Sequence, residues 1–226
     1  MIVLGNIVST SVLMASAIFF APPQMDTVAD VPSRYFSEQH SIFGRVERVI
    51  DGDTLRVRHC RNRYFCENRL RDGLPRKIYD STLSIRLYGI DCPELQKRST
   101  DPPSQPFAEE AKQVTSDLVL GKTVKVTLLK KDQYGRALAM VETPRNRFVP
   151  FLGRQDLSEE LVRRGLATIY TGGGAQYNGN RDVLETKLKQ AQRRKLGMWS
   201  LGDEQRMSPA EFKRQQRAAK YATVTP

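Results

Sequence analysis

The chain has 226 residues, with 36 Lys and Arg against 25 Asp and Glu, a formal net charge of +11. Hydrophobic residues make up 39% and charged residues 27%, a globular balance that excludes a wholly disordered chain and a multi-pass membrane protein. Three cysteines exclude a dense disulfide scaffold, and two histidines, His40 and His59, exclude a histidine-rich metal site, while the positive balance points to a polyanionic partner, nucleic acid first, against a merely basic surface.

No charge precedes Asp26, and Ile2 to Ala21 is apolar apart from Asn6 and a few Ser and Thr. Twenty helical residues span about 30 Å, one hydrocarbon core. The segment at 1–21 reads as an uncleaved single-pass anchor or as a secretory signal peptide cut near Ala15, Ala17 or Ala21. A signal peptide has a positive start, which is missing here, so the anchor is favoured. Residues 22–40 carry three prolines and read as a linker. From Phe43 to Arg58 apolar and polar residues alternate around an Asp-Gly turn, as in two paired strands.

Residues 59–83 break that pattern. Between Arg56 and Lys77 there are eight Lys or Arg against two acids, with Tyr64, Phe65 and Tyr79 in or beside the run. Leu83 to Ile90 is strand-like again, and Glu94 to Pro106 is a loop. Phe107 to Leu120 has helical spacing, with Ala108, Ala111, Val114 and Leu118 on one face. Strands follow over Lys122–Leu129 and Arg136–Glu142, joined through the turn Asp132 to Gly135. Asp156 and Glu159 form a capping box that opens a helix to Arg164. Arg181 to Leu196 is a longer helix with Gly197 as its stop. Ser208 and Glu211, with Pro209 at the first helical position, start a last basic helix to about Tyr221. Its basic side chains suit nucleic acid or anionic lipid, or merely solvent. Short strands interrupted by helices predict a small β-barrel with packed helices.

Three segments carry chemistry: Asp51-Gly-Asp53-Thr54, Arg86 followed by Asp91-Cys92-Pro93-Glu94, and Asp132-Gln-Tyr134-Gly-Arg136. Each lies at a strand end or in the turn after it, where a rigid barrel aims side chains into a common cleft. Asp53 and Asp91 offer hard oxygen ligands suited to Ca²⁺ or Mg²⁺. Arg86 and Arg136 offer planar forks that match phosphate oxygens. Glu94 offers a base or a group that orients water. These are the parts needed to hydrolyse a phosphodiester. Taken singly, each motif is more often a solvated charge or an ordinary turn. Cys60 and Cys66 lie close together in the insertion as free thiols or a disulfide, free thiols being favoured. A zinc site with His59 lacks a fourth ligand. Cys92 reads as a structural thiol, since no histidine partner is suggested.

In order, VIDGDTLRV, IRLYGIDCPE, PFAEEAK, DQYGRALAMV, LSEELVRRGLATIY and LKQAQRRKLGMWS resemble the signature segments of the staphylococcal nuclease (thermonuclease) family. The likeness runs from Phe43 to Ser200, and is closer to the membrane-anchored mitochondrial endonucleases of that family in fungi. The resemblance implies an α+β fold, an OB-like five-stranded barrel with three helices, over residues 41–200, with a basic insertion at about 59–83 and a basic tail at 201–226. It implies Ca²⁺ held by the Asp53 and Asp91 carboxylates and the main-chain carbonyl of Cys92, where the family usually has threonine. Arg86 and Arg136 then bind the phosphate, Glu94 is the general base or water orienter, Asp51 stands behind the ligands, and Tyr134 lines the phosphate site. Tyr170 or Tyr177 is a candidate for a tyrosine of the bacterial enzyme. The implied activity is cleavage of DNA or RNA, single strands preferred, to 3′-phosphate ends by a monomer. The insertion suits a strand-binding arm or a solvated loop. The implied location is a membrane-anchored mitochondrial one, with secretion or the endoplasmic reticulum as alternatives. The rival functions are a non-catalytic nucleic-acid-binding barrel tethered to a membrane, and a membrane-organising protein.

Overall fold

The computed structural model describes residues 24–63, 66, 70–71, 74–75, 77–96, 98–99, 102–145, 153–202 and 207–222. The apolar segment Ile2 to Ala21 lies outside them, and among the described residues no helix is long and apolar enough to cross a membrane. The strands are β1 (Ser41–Asp51), β2 (Thr54–Cys60), β3 (Leu70–Arg71), β4 (Leu74–Pro75), β5 (Leu83–Leu87), β6 (Ile90–Asp91), β7 (Thr123–Lys131), β8 (Ala137–Pro144), β9 (Arg154–Asp156) and β10 (Thr168–Ile169). Five of them close a barrel in the order β5-β2-β1-β7-β8, and a parallel β5–β8 pairing seals the ring. Burial alternates residue by residue along β8, so Ala137, Ala139 and Val141 point inward. There they join Leu55, Val57, Ile85, Leu87, Val124 and Val126, all fully buried. This is the α+β, OB-like five-stranded barrel that the sequence predicts.

The helices are α1 (Ser33–Ser37), α2 (Ala108–Val119), α3 (Leu157–Arg163), α4 (Arg181–Arg193) and α5 (Pro209–Ala222). α2 packs on β1, and α3 packs on β8, α2 and α4. The buried face of α2 is Ala108, Ala111, Thr115 and Val119, with Val114 and Leu118 half-buried beside it. The stretch read as a linker is seated on the barrel from residue 24 onward. Met25, Val28 and Val31 enter the core, and α1 packs on β7. Met25, Val28 and Val31 are spaced three apart about a short 3-10 turn at Val28–Asp30, a run too short and too closely followed by Pro32 to stand out from a connection. Leu83 to Ile90 is not one strand, because Gly89 turns the chain with φ +65° between β5 and β6. α4 stops earlier than predicted, at Arg193. Lys195 takes the left-handed conformation after it. Gly197, also left-handed at φ +53°, allows a close approach besides, since a Cβ there would lie 2.4 Å from the Gly165 carbonyl oxygen. Cys60 and Cys66 form a disulfide, against the free thiols favoured from the sequence, and it ties the root of the insertion.

Asp156 caps α3, its carboxylate accepting the Glu159 main-chain amide at 3.0 Å. Burial pushes this carboxyl up to about 7, against the pull of that hydrogen bond. An unfolded aspartate titrates near ~4, so between about 4 and 7 the folded chain holds a proton that the unfolded chain has lost. Stability therefore falls as pH rises through that window and levels above it. Asp156→Asn keeps the cap and removes the titration. Its melting temperature should gain on that of the native chain between pH 5 and pH 8, and a constant difference would contradict the assignment.

Candidate active site

The turn between β1 and β2 is held from two sides. A Cβ on Gly52 would lie 2.8 Å from Cys92 Sγ and 2.9 Å from the Ala111 Cβ, so only glycine fits without displacement. Thr115 of α2 donates its hydroxyl to the Gly52 carbonyl at 2.8 Å, and the Leu87 amide donates to the Asp53 carbonyl at 2.8 Å. The Asp53 carboxylate is thereby aimed at the neighbouring loop, where Oδ2 accepts the Cys92 amide at 2.8 Å. Asp91 ends β6 and pairs with Thr168 of β10. Both aspartates are only 2% exposed.

Arg86 lies on β5, in register with Thr54 of β2 on one side and Leu138 of β8 on the other. Its guanidinium pairs with both the Asp53 and Asp91 carboxylates and donates to the Ile90 carbonyl at 3.2 Å. Glu94 stands in the loop after β6. Its amide donates to Gln105 Oε1 at 2.9 Å, and the Gln105 amide donates back to the Glu94 carbonyl at 2.9 Å. Gln105 Nε2 also donates to the Met207 carbonyl at 3.2 Å, which couples this loop to the start of α5. From α5, the Lys213 ammonium reaches Asp91 Oδ1 at 2.8 Å and Glu94 Oε1 at 2.7 Å.

The sequence-predicted residues Asp53, Arg86, Asp91 and Glu94 thus converge, with buried Asp51 at the end of β1 and buried Cys92 between them. Burial pushes the Cys92 thiol well above its usual range, so it is no nucleophile at neutral pH. Arg136 and Tyr134 are engaged elsewhere, with Asp132 and with each other. Arg136 Nε donates to Asp132 Oδ2 at 2.7 Å, and its guanidinium lies 5.5 Å from the centre of the exposed Tyr134 ring. The Arg136 turn nevertheless enters β8 beside β5, the strand that carries Arg86. The Tyr177 hydroxyl donates to the Tyr170 carbonyl at 2.7 Å. Gln105 and Lys213 were not read as site residues. Lys213 lies 122 residues beyond Asp91, and a lysine in a basic helix carries no spacing signal that links it to an acidic loop. A cleft of about 490 Å³, beside β8, β9 and α3, is lined by none of the candidate residues.

Among the described residues no three His, Cys, Asp or Glu side chains gather as a metal cage. The donors are two buried carboxylates with Glu94 alongside, all oxygen, and they already draw in two cationic side chains. Such a set suits a hard divalent cation rather than zinc or copper.

A closed barrel that presents buried carboxylates and a guanidinium at its strand ends has the layout of a phosphodiester hydrolase. Residues 84–201 match the family described as staphylococcal nuclease homologue. The chain is 36% identical over 191 residues to "Endonuclease Htp3" of Saprolegnia parasitica, covering 84% of each chain. It is 34% identical over 200 residues to "Probable endonuclease LCL3" of Clavispora lusitaniae, covering 85% of this chain and 81% of that one. "Probable endonuclease lcl3" of Neosartorya fischeri is 38% identical over 189 residues, covering 77% and 60%. The chain belongs to the staphylococcal nuclease family and is a nuclease, a hydrolase.

Proposed function

We propose that this nuclease is a Ca²⁺-dependent endonuclease, anchored in a membrane, that cuts single-stranded DNA or RNA with low sequence specificity and leaves 3′-phosphate ends. The observation that carries it is the convergence of Asp53, Asp91 and Glu94 around cationic groups. The relatives' printed names support the endonuclease reading. Asp53, Asp91 and the Cys92 carbonyl would hold the ion. When bound, Ca²⁺ supplies positive charge against the charge that builds on the phosphate. Arg86 and Arg136 bind the non-bridging oxygens, and Arg136 must leave Asp132 to do so. Glu94 takes the proton of an attacking water, or orients it. The water oxygen bonds to phosphorus as the bond to the 5′-oxygen breaks, and that oxygen takes its proton from solvent. Contacts to phosphate carry no base information, so low specificity follows.

The exposed Tyr79 ring, stacked 4.9 Å from the Arg56 guanidinium, supports the insertion as a strand-binding arm. The apolar segment Ile2 to Ala21 supports the anchor, and the Cys60–Cys66 disulfide supports a domain facing an oxidising compartment. A mitochondrial address rests on the family resemblance.

The test uses the full-length protein in detergent with single-stranded DNA and RNA, in Ca²⁺ or in chelator, beside Arg136→Ala. Cleavage should require Ca²⁺ and fall about 10²–10³-fold in the variant. Product 3′ ends should resist polymerase extension until treated with phosphatase. Salt-sensitive binding without any cleavage would favour the non-catalytic binding barrel instead.

A further inference from the structure

We propose that Lys213 is a tethered competitor of the divalent cation, so that α5 sets the metal affinity of the site; this inference rests on the calcium reading above. The Lys213 ammonium lies within 2.8 Å of Asp91 Oδ1 and 2.7 Å of Glu94 Oε1. The same Asp91 oxygen is taken by Arg86. A divalent ion ligated by Asp91 would therefore sit a few ångströms from both the guanidinium and the ammonium, and its two further positive charges are repelled by each in so buried a place. Arg86 is the more buried of the two, so the lysine is the cation that gives way.

α5 is built to deliver this lysine. Its first turn is closed by a reciprocal capping box, with the Glu211 amide donating to Ser208 Oγ at 3.2 Å and the Ser208 amide donating to Glu211 Oε2 at 3.1 Å. Gln105 ties Met207 to the Glu94 loop. Phe212, next to the lysine, lines an apolar cleft of about 320 Å³ with Pro93, Pro103, Met198 and Leu201. Yet among the described side chains of α5 only Pro209 is buried. A helix so lightly anchored opens at low cost, and the four-carbon stem of lysine lets the ammonium withdraw even while the helix stays seated.

The experiment measures Ca²⁺ binding by titration calorimetry on the full-length protein without nucleic acid, comparing the native chain with Lys213→Met, Lys213→Arg and Phe212→Ala. Lys213→Met keeps most of the stem and removes the charge, and it should bind Ca²⁺ about tenfold more tightly. Lys213→Arg should stay near native, and Phe212→Ala should gain a smaller factor by unseating α5. In the native chain, adding Ca²⁺ should speed amide hydrogen exchange along α5. Equal affinity in the native chain and Lys213→Met, or weaker binding in the variant, overturns the competitor and leaves the calcium reading standing. Absence of Ca²⁺ binding in every variant overturns both.

Discussion

Arg86→Met should lower stability by about 3–5 kcal/mol and cleavage by about 10³-fold or more. The guanidinium is the shared counter-charge of Asp53 and Asp91, whose side chains are each 3% exposed. Removing it leaves two like charges close together and away from water, which is the costly way to break a buried ion pair. Lys213 offsets part of this, but it touches Asp91 and not Asp53. On the reading above, the same guanidinium binds phosphate oxygens as charge builds there. Two measurements separate the roles. Urea unfolding in chelator reads the structural loss, and adding Ca²⁺ should recover much of it, because a divalent ion also neutralises the aspartates. Single-turnover cleavage should not recover, since an ion held by the aspartates does not supply the planar fork. Arg86→Lys should behave similarly in cleavage, because an ammonium lacks the planar fork that matches two phosphate oxygens. Stability within about 1 kcal/mol of native would place Arg86 outside the buried pair, since the loss expected for a broken pair is several times larger.

The barrel was legible because each strand buries one face, and a period of two survives in the sequence. β8 is the clearest case, with burial switching at every residue. The four converging residues were legible because Asp53, Arg86, Asp91 and Glu94 stand at strand ends within short, recognisable segments. What escaped is of a different kind. Met25, Val28 and Val31 are core residues about a single 3-10 turn, and three apolar positions among prolines are too few to separate it from a linker. Lys195 takes a left-handed conformation two residues before Gly197, which takes one too, and composition points only to the glycine. The pairing of Cys60 with Cys66 depends on how β2 and the insertion bring the two together, which spacing alone leaves open. Lys213 and Gln105 act through tertiary contact between segments far apart in sequence.

Glu94→Gln should reduce the rate of the chemical step by about 10²–10⁴-fold, while KM stays within a few-fold. The expectation follows from where the residue is held. Its position is set by main-chain hydrogen bonds to Gln105, one donated and one accepted, and the substitution leaves both intact. The fold around Asp91 and the path of the loop should therefore be preserved, while the proton-accepting oxygen is lost and the ion pair to Lys213 is weakened. Glu94→Asp is the sharper probe. It keeps the charge but draws the carboxylate back by one methylene, and a displacement of about 1 Å at a reacting group costs roughly 10²-fold. A role confined to holding Lys213 predicts kcat near native in both variants, with only the calcium affinity moving, because the ion pair touches no reacting atom. The size of the kcat loss in the two variants, read beside their calcium affinities, therefore distinguishes a group that handles water from one that only holds α5.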